Sequence, residues 1–351
     1  MSAASSSIAT PRSCAELQDL LRASRGSVRL VGSGTRQHRL PAAPADSLHV
    51  RLTGLATIER LDGPDQTCSV DCGVLRTDLD AALQPLGLEL PCPGEGTLGG
   101  LFAADPLGAA APGGQSPRTL LLGAEAVLAD GTFFRSGARV VKSVAGFDVH
   151  KLLVGSEGRL YAATRLHLRL KPRPRAEAWF RRDGLSDADA LAALARLRAE
   201  PVGPAAVQLR RDRHGCALVG RIAGRTAFVR GQLAQHGLAE AACAWTDHLA
   251  ADAPGEVVAG LARFTAVAGL CAAVPAAATL LWHGGGRFEA ALPDAAASDA
   301  LLAAAAALGV HARVVATTHP ARRDRGSPID PGAARLAAAL RTALDPHGIL
   351  V

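Results

Sequence analysis

Two glycine turns stand close together between Arg139 and Lys171, in the run RVVKSVAGFDVHKLLVGSEGRLYAATRLHLRLK. The first, Ala145-Gly146, follows the basic Lys142; the second is Gly155-Ser156-Glu157-Gly158, and an amphipathic segment beginning near Asp148 joins them. Glycines in such turns let backbone N–H groups approach a flat or phosphorylated ligand that side chains would hold off. Two earlier loops offer the same chemistry. Gly32-Ser33-Gly34-Thr35-Arg36 follows a strand-like SVRLV, and its small residues expose the consecutive N–H donors that a diphosphate requires. Taken alone it reads as an ordinary turn; it is not a GxGxxG fingerprint, and no helix pattern follows it immediately. In Pro91-Cys92-Pro93-Gly94-Glu95-Gly96-Thr97-Leu98-Gly99-Gly100-Leu101, the glycine pair permits close approach and Thr97 can donate or accept a hydrogen bond. Taken alone this too reads as a loop.

Other chemistries are poorly served. The seven cysteines (Cys14, Cys68, Cys72, Cys92, Cys216, Cys243 and Cys271) include no CxxC pair, so no iron–sulfur or structural zinc site is expected. Their odd, unspaced distribution fits a reducing cytoplasm. No HxxxH, HExxH or carboxylate cluster points to a metal, and the isolated His150 and His283 read as structural. The formal net charge of +6 is carried almost wholly by arginine, lysine occurring only at Lys142, Lys151 and Lys171. With 3% aromatics there is no stacking platform for single strands, and no nucleic-acid partner is expected. The polar N-terminus lacks a signal-peptide core. The uncharged run from Phe264 to Trp282 has the length of a membrane span, but Pro275 and small residues interrupt it, so it reads as strand, short helix, strand.

The elements that must position these loops follow from periodicity. Ser13 caps an expected helix over 13–24 with Leu17, Leu20 and Leu21 on one face. Strands are expected over 27–31, 48–52 and 67–71, and a helix over 76–86 stopped by Gly87. A loop zone at 91–118 then precedes a hairpin-like pair, 120–128 and 132–136. Pro172-Arg173-Pro174 closes this unit, because alternating prolines continue neither helix nor sheet. Beyond it, helices over 187–200, 227–236 and 295–308 interleave with strands over 206–210, 216–222, 256–268, 279–283 and 287–292. A last helix is expected over 333–344.

The order and spacing of these loops resemble the FAD-linked oxidases of the vanillyl-alcohol oxidase type, and most closely the FAD-binding E subunit of bacterial glycolate oxidase. Members of that family carry a VxKNVAGYDxxKLxxGSxGxLGVIT-like segment, matched here at Lys142, Val144, Ala145, Gly146, Asp148, Lys151, Leu152, Gly155, Ser156, Gly158, Leu160 and Thr164. GGQSPRTLLLG matches a second family segment at Ser116, Arg118, Leu122 and Gly123. The resemblance implies an α+β protein: a PCMH-type FAD-binding domain of two α/β subdomains at residues 1–174, a smaller α+β cap domain at 175–320, and a C-terminal helix at 321–351 returning to the FAD domain.

It further implies non-covalent FAD, contacted by Gly32, Ser33, Gly34, Thr35, Pro91, Thr97, Gly99, Gly100, Ser116, Arg118, Lys142, Gly146, Asp148, Gly155, Ser156, Glu157 and Gly158, with no metal. The catalytic group is unknown; His319 falls near a family Gly-His segment on the substrate side, and a surface histidine is an equal reading. His38 is not expected to attach the flavin. The activity implied is oxidation of a small 2-hydroxy acid such as glycolate, in the cytoplasm. The partners implied are a catalytic FAD-linked flavoprotein subunit and an iron–sulfur subunit, with at most peripheral membrane association through them. The alternative is a non-catalytic, E-like assembly subunit with a degenerate flavin site.

The chain departs from the family at Thr119, where Asp is usual, at Ala109-Ala110-Ala111, at Ser143 and Phe147, and in stopping at Leu350-Val351 before an Asn-Pro-Gly ending. Tyr161 stands where glycine is usual. It either fills space that the backbone or the adenine end of FAD needs, or stacks on another aromatic ring; both readings stay open at this point.

Overall fold

The computed structural model describes residues 7–37, 40, 43–92, 94–104, 116–139, 147–242, 246, 249, 255–323, 325–327 and 330–351. The described residues of Met1–Pro106, Ser116–Arg173 and Asp330–Val351 form one compact unit, and those of Pro174–Ile329 form another.

In the first unit, the Ser13 hydroxyl accepts from the Glu16 amide (3.1 Å) and starts the helix Cys14–Ala23, whose Leu17 and Leu21 join Val28, Val50 and Leu350 in a small core. Val28–Val31 and Leu48–Arg51 pair in parallel, with Ile8–Ala9 beyond Leu48–Arg51. The chain's last residues extend this sheet: Leu350 bridges Val28, and the Val28 amide donates to the Ile349 carbonyl (2.7 Å). Asp345, 2% exposed, fixes that tail by accepting the amides of Ile349 (3.0 Å) and Leu350 (2.9 Å). A carboxylate holding backbone N–H groups this way satisfies both the buried charge and the donors.

The unit's larger sheet is antiparallel, in the order Ile58–Asp62, Thr67–Asp71, Ala162–Arg169, Leu121–Val127, Phe133–Gly137. Val70, Ala124, Leu166 and Leu168 cluster with Leu79 and Leu83 of the helix Arg76–Leu83, and with Leu98, Leu101 and Phe102 of the helix Leu98–Ala104. That second helix lies inside the zone read from sequence as loop. Its Gly99-Gly100 pair disguises it, and packing explains the first glycine: a Cβ on Gly99 would stand 2.8 Å from Cys72 Cβ. Lys171–Pro172 forms a two-residue antiparallel ladder with Leu88–Glu89, a ladder short enough to tolerate the missing proline N–H.

The second unit is built on one antiparallel sheet, in the order Ala176–Leu185, Gly215–Gly224, Ala206–Asp212, Thr279–His283, Arg287–Leu292, Glu256–Leu261, His311–Thr317. The helices Asp187–Ala199, Phe264–Ala273 and Ala295–Ala307 contribute to its core, among them Leu194, Leu270 and Leu301 against Phe180, Trp282 and Phe288. The strand expected over 256–268 ends at Leu261, and Phe264–Ala273 is helical. An apolar run without period does not distinguish a buried strand from a buried helix.

Candidate cofactor site

A pocket of about 680 Å³, open solvent at its mouth included, lies within the first unit. Leu30, Val31, Leu40, Leu52, Cys72, Ala103, Ala104, Leu153, Tyr161 and Ala163 give it apolar walls, and Ser33, Thr35, Arg36, Thr97 and Glu157 supply polar groups. This is the composition of a small-molecule site, mostly apolar with a few placed polar groups.

The polar end is made by two loops that interlock. The Ser33 hydroxyl accepts from the Thr97 amide (3.2 Å), and the Thr97 hydroxyl accepts from the Gly100 amide (3.4 Å). A Cβ on Gly32 would overlap the Thr97 side chain, and one on Gly96 would come within 2.5 Å of Ser33 Oγ and 2.7 Å of Thr35 Oγ1. These glycines are therefore required by loop-on-loop packing. Gly34 differs: its φ is +82°, and a Cβ there would meet no atom within 4 Å. The amides of Ser33, Gly34 and Thr35 have no hydrogen-bond acceptor among the described residues. Consecutive free N–H groups beside open space form an oxyanion cradle.

Arg36 completes this end and was not assigned a role from sequence, although it directly follows the glycine loop. It is 8% exposed; its Nη1 donates to the Glu95 carbonyl (2.7 Å) and to Thr35 Oγ1 (3.3 Å), while its Nε is buried without an acceptor among the described residues. The only sequence signal was a basic residue adjoining a run of small ones.

Gly32, Ser33, Gly34, Thr35, Thr97, Gly99, Gly100, Glu157 and Gly158 all line this pocket. Lys142 and Gly146 lie outside the described residues, as do His38 and Ala109-Ala110-Ala111. Six more sites do not line the pocket: Pro91, Ser116, Arg118, Asp148, Gly155 and Ser156. Ser116 caps the short helix Pro117–Leu120, its hydroxyl accepting from the Thr119 amide. Arg118 Nη1 donates to the Lys151 carbonyl (3.1 Å), and Lys151 Nζ donates back to the Arg118 carbonyl (2.7 Å). In the second glycine turn, the Gly155 amide donates to the Phe102 carbonyl (3.3 Å) and the Glu157 amide to that of Ala103 (2.9 Å). Those donors terminate the helix Leu98–Ala104, so this turn offers the pocket a wall formed by Glu157 and Gly158.

Tyr161 is 1% exposed, and its ring meets Phe134 edge to face at 5.2 Å between centroids. Its hydroxyl donates to the carbonyls of His150 (3.1 Å) and Val149 (3.2 Å). The ring stacks within the protein core as well as bordering the pocket, and its backbone is not in the left-handed region that would demand glycine. Burial pushes the phenol well above its ordinary range and does the same to the Cys72 thiol, so both are protonated at neutral pH.

His150 is buried and shares a hydrogen bond with Ser136 Oγ (3.0 Å). In the second unit His283 is also buried: Arg287 Nη2 reaches its Nε2 (2.8 Å), and Gln208 lies directly across the ladder. Glu289, beside Arg287, accepts the Leu249 amide (2.8 Å). His319 is exposed, and its amide donates to Thr317 Oγ1 (3.0 Å). No group of His, Cys, Asp and Glu able to hold a metal occurs among the described residues, and none of their helices is long and apolar enough to cross a membrane.

Residues 5–137 match the FAD binding domain family. These residues carry a PCMH-type FAD-binding domain, with FAD as its cofactor, and most of the residues lining the pocket belong to them. The chain is 32% identical to glycolate oxidase subunit GlcE of Escherichia coli over 150 residues, 41% of this chain and 43% of that protein. It is 30% identical to glycolate oxidase subunit GlcD of Bacillus subtilis over 174 residues, 48% of this chain and 37% of the relative. It is 34% identical to a D-lactate dehydrogenase of Archaeoglobus fulgidus over 137 residues, 38% and 31% of the two chains. The matched stretches thus span less than half of each relative. Among solved structures, alkyldihydroxyacetonephosphate synthase superposes with a TM-score of 0.69 at 14% identity, covering 98% of this chain and 75% of that one, which is a likeness of fold.

Proposed function

We propose that this chain is the FAD-binding subunit of a complex that oxidises a small 2-hydroxy acid such as glycolate to the 2-oxo acid. Electrons would pass to partner subunits, a catalytic flavoprotein and an iron–sulfur protein. The observation that carries the reading is the convergence on one pocket of the Gly32–Arg36 loop and of Thr97, Gly99 and Gly100 at the start of the helix Leu98–Ala104. Sequence similarity to two proteins named as glycolate oxidase subunits supports the substrate class and the heteromeric assembly.

FAD supplies the two-electron acceptor; protein groups bind it, orient the substrate and move the proton. In this chain the amides of Ser33, Gly34 and Thr35, with the Arg36 guanidinium, would hold the phosphates. Leu30, Leu52, Tyr161 and Ala163 keep water from the slot. A hydroxy acid also needs a base for its hydroxyl proton. Cys72 and Tyr161 are both protonated and do not serve as that base.

The protonated state of Cys72 and Tyr161 favours a second reading, a non-catalytic assembly subunit. Anaerobic addition of glycolate or D-lactate to the purified complex distinguishes the two. Loss of the oxidised-flavin band assigned to this chain, by comparison with a complex containing a flavin-free variant, is the expected result. A band from this chain that no 2-hydroxy acid bleaches would leave only the assembly role.

A further inference from the structure

We propose that the apolar stripe of the C-terminal helix Pro331–Leu344 is a docking face for the catalytic flavoprotein subunit of the complex. The inference rests on the subunit reading for the identity of the partner, while the face itself rests on the helix alone.

Both ends of this helix are anchored and its middle is bare. Asp330 Oδ1 accepts the Ala333 amide (2.9 Å) and Pro331 stands in the first turn, so the start is capped. At the other end Leu344 packs on the core of the first unit, and Arg341 Nη2 donates to the Leu350 carbonyl (3.0 Å). Ala333, Leu336, Ala337, Leu340 and Leu344 recur at the three- and four-residue spacing that gathers side chains on one face. None of the helix's residues is buried: Leu336 is 62% exposed, and Leu340 and Leu344 are half-buried. A helix of 14 residues is marginal in water unless its apolar face is covered.

The charges around the stripe select what covers it. No acidic side chain occurs between Pro331 and Leu344, whereas Arg335 and Arg341, both exposed, flank the stripe on opposite sides. The complement of such a face is an apolar surface with carboxylates at its rim. A second copy of this chain carries the same arginines and a net charge of +6, so two such helices laid together bring like charges side by side. An anionic lipid surface would meet two arginines and no aromatic anchor on this helix. A helix about 21 Å long supplies only part of the roughly 800 Å² per partner of a stable interface, so the partner must extend over the neighbouring surface, as a folded subunit does. Two of the proteins similar to this chain are each named as a glycolate oxidase subunit, GlcE and GlcD, which supports an FAD-linked subunit as that partner.

The test uses the full chain loaded with FAD and the catalytic flavoprotein subunit of the same organism, with assembly read by gel filtration and light scattering and affinity by titration. Leu336→Glu alters a residue already in solvent, so the free chain should keep its melting temperature and its flavin. Its affinity for the flavoprotein subunit should fall by about 10- to 100-fold, as for a buried apolar anchor replaced by a charge. Leu336→Met should retain the affinity. Arg335→Glu should weaken assembly and lower its dependence on ionic strength, and it serves as the readout if Leu336→Glu does not fold. Wild-type affinity in both Leu336→Glu and Arg335→Glu would overturn the proposal and leave the subunit reading intact. Leu336-dependent dimers of the chain alone, Leu336-dependent assembly with an iron–sulfur subunit only, or Leu336-dependent binding to anionic phospholipid vesicles would overturn it in favour of that other occupant. A wild-type chain that joins neither the flavoprotein nor an iron–sulfur subunit would remove the subunit reading, and this inference with it.

Discussion

The backbone of Gly32 packs so closely on Thr97 that a methyl group on the glycine would overlap the threonine hydroxyl. Residues far apart in sequence thereby fix the distance between the two glycine loops. The site is a product of loop-on-loop packing, with each loop's small residues making room for the other's hydroxyls.

Two glycines of this cradle should respond differently to the same substitution. Gly96→Ala places a Cβ against Ser33 Oγ and Thr35 Oγ1 from a left-handed backbone, φ +84°, so strain and overpacking should cost about 2–3 kcal/mol and loosen both loops. Gly34→Ala meets no protein atom, and its left-handed φ alone should cost about 1 kcal/mol. Its methyl group, however, would stand in open space at a residue that lines the pocket. Urea denaturation beside an FAD titration should show Gly96→Ala losing mainly stability and Gly34→Ala losing mainly affinity; identical behaviour would mean that Gly34 does not face the cofactor.

Tyr161 behaves as a core residue at a position where glycine is usual in the family. Tyr161→Phe removes the one hydroxyl hydrogen shared between the Val149 and His150 carbonyls and should cost about 1 kcal/mol. Tyr161→Gly removes the ring from Phe134 and empties its place, which should cost about 3–5 kcal/mol. Equilibrium unfolding measures both. A glycine variant as stable as the parent would show that the ring is not integral to the core.

Burial pushes His150 below the ordinary imidazole value, with Lys151 and Arg118 adding to the effect and Asp148 opposing it; burial does the same to His167. The unfolded chain therefore takes up protons more readily than the folded one. This contribution to stability is complete above about pH 6.5 and is lost as the pH falls toward the depressed folded values. Urea midpoints should decline between about pH 7 and pH 5, and His150→Asn, which does not titrate, should flatten part of that decline. A wild-type profile that rises on acidification would contradict the assignment.

Much of this architecture is legible in the residues themselves. The strands Thr67–Asp71, Thr279–His283 and Arg287–Leu292 fall at the residues where the sequence marks them, and the Ser13 cap announces its helix. The Gly32–Thr35 loop and the Thr97–Gly100 segment are recognisable because small residues stand together after strand or proline signals. What stayed hidden was tertiary. Nothing local distinguishes Gly155, whose amide caps the helix Leu98–Ala104, from a glycine whose amide meets a phosphate. Arg36 resembles the other arginines of an arginine-rich chain until the fold buries it, its Nε without a partner among the described residues. Tyr161 left two readings open, and Phe134, distant in sequence, shows that its ring stacks in the core.

The most direct test of a flavin held in this cradle is the visible absorption spectrum of the purified chain, before and after incubation with FAD and removal of the excess. The spectrum of oxidised flavin, retained by wild type and reduced in Gly34→Ala and Arg36→Met, is the expected result. A well-folded wild-type protein that stays colourless after incubation would contradict it.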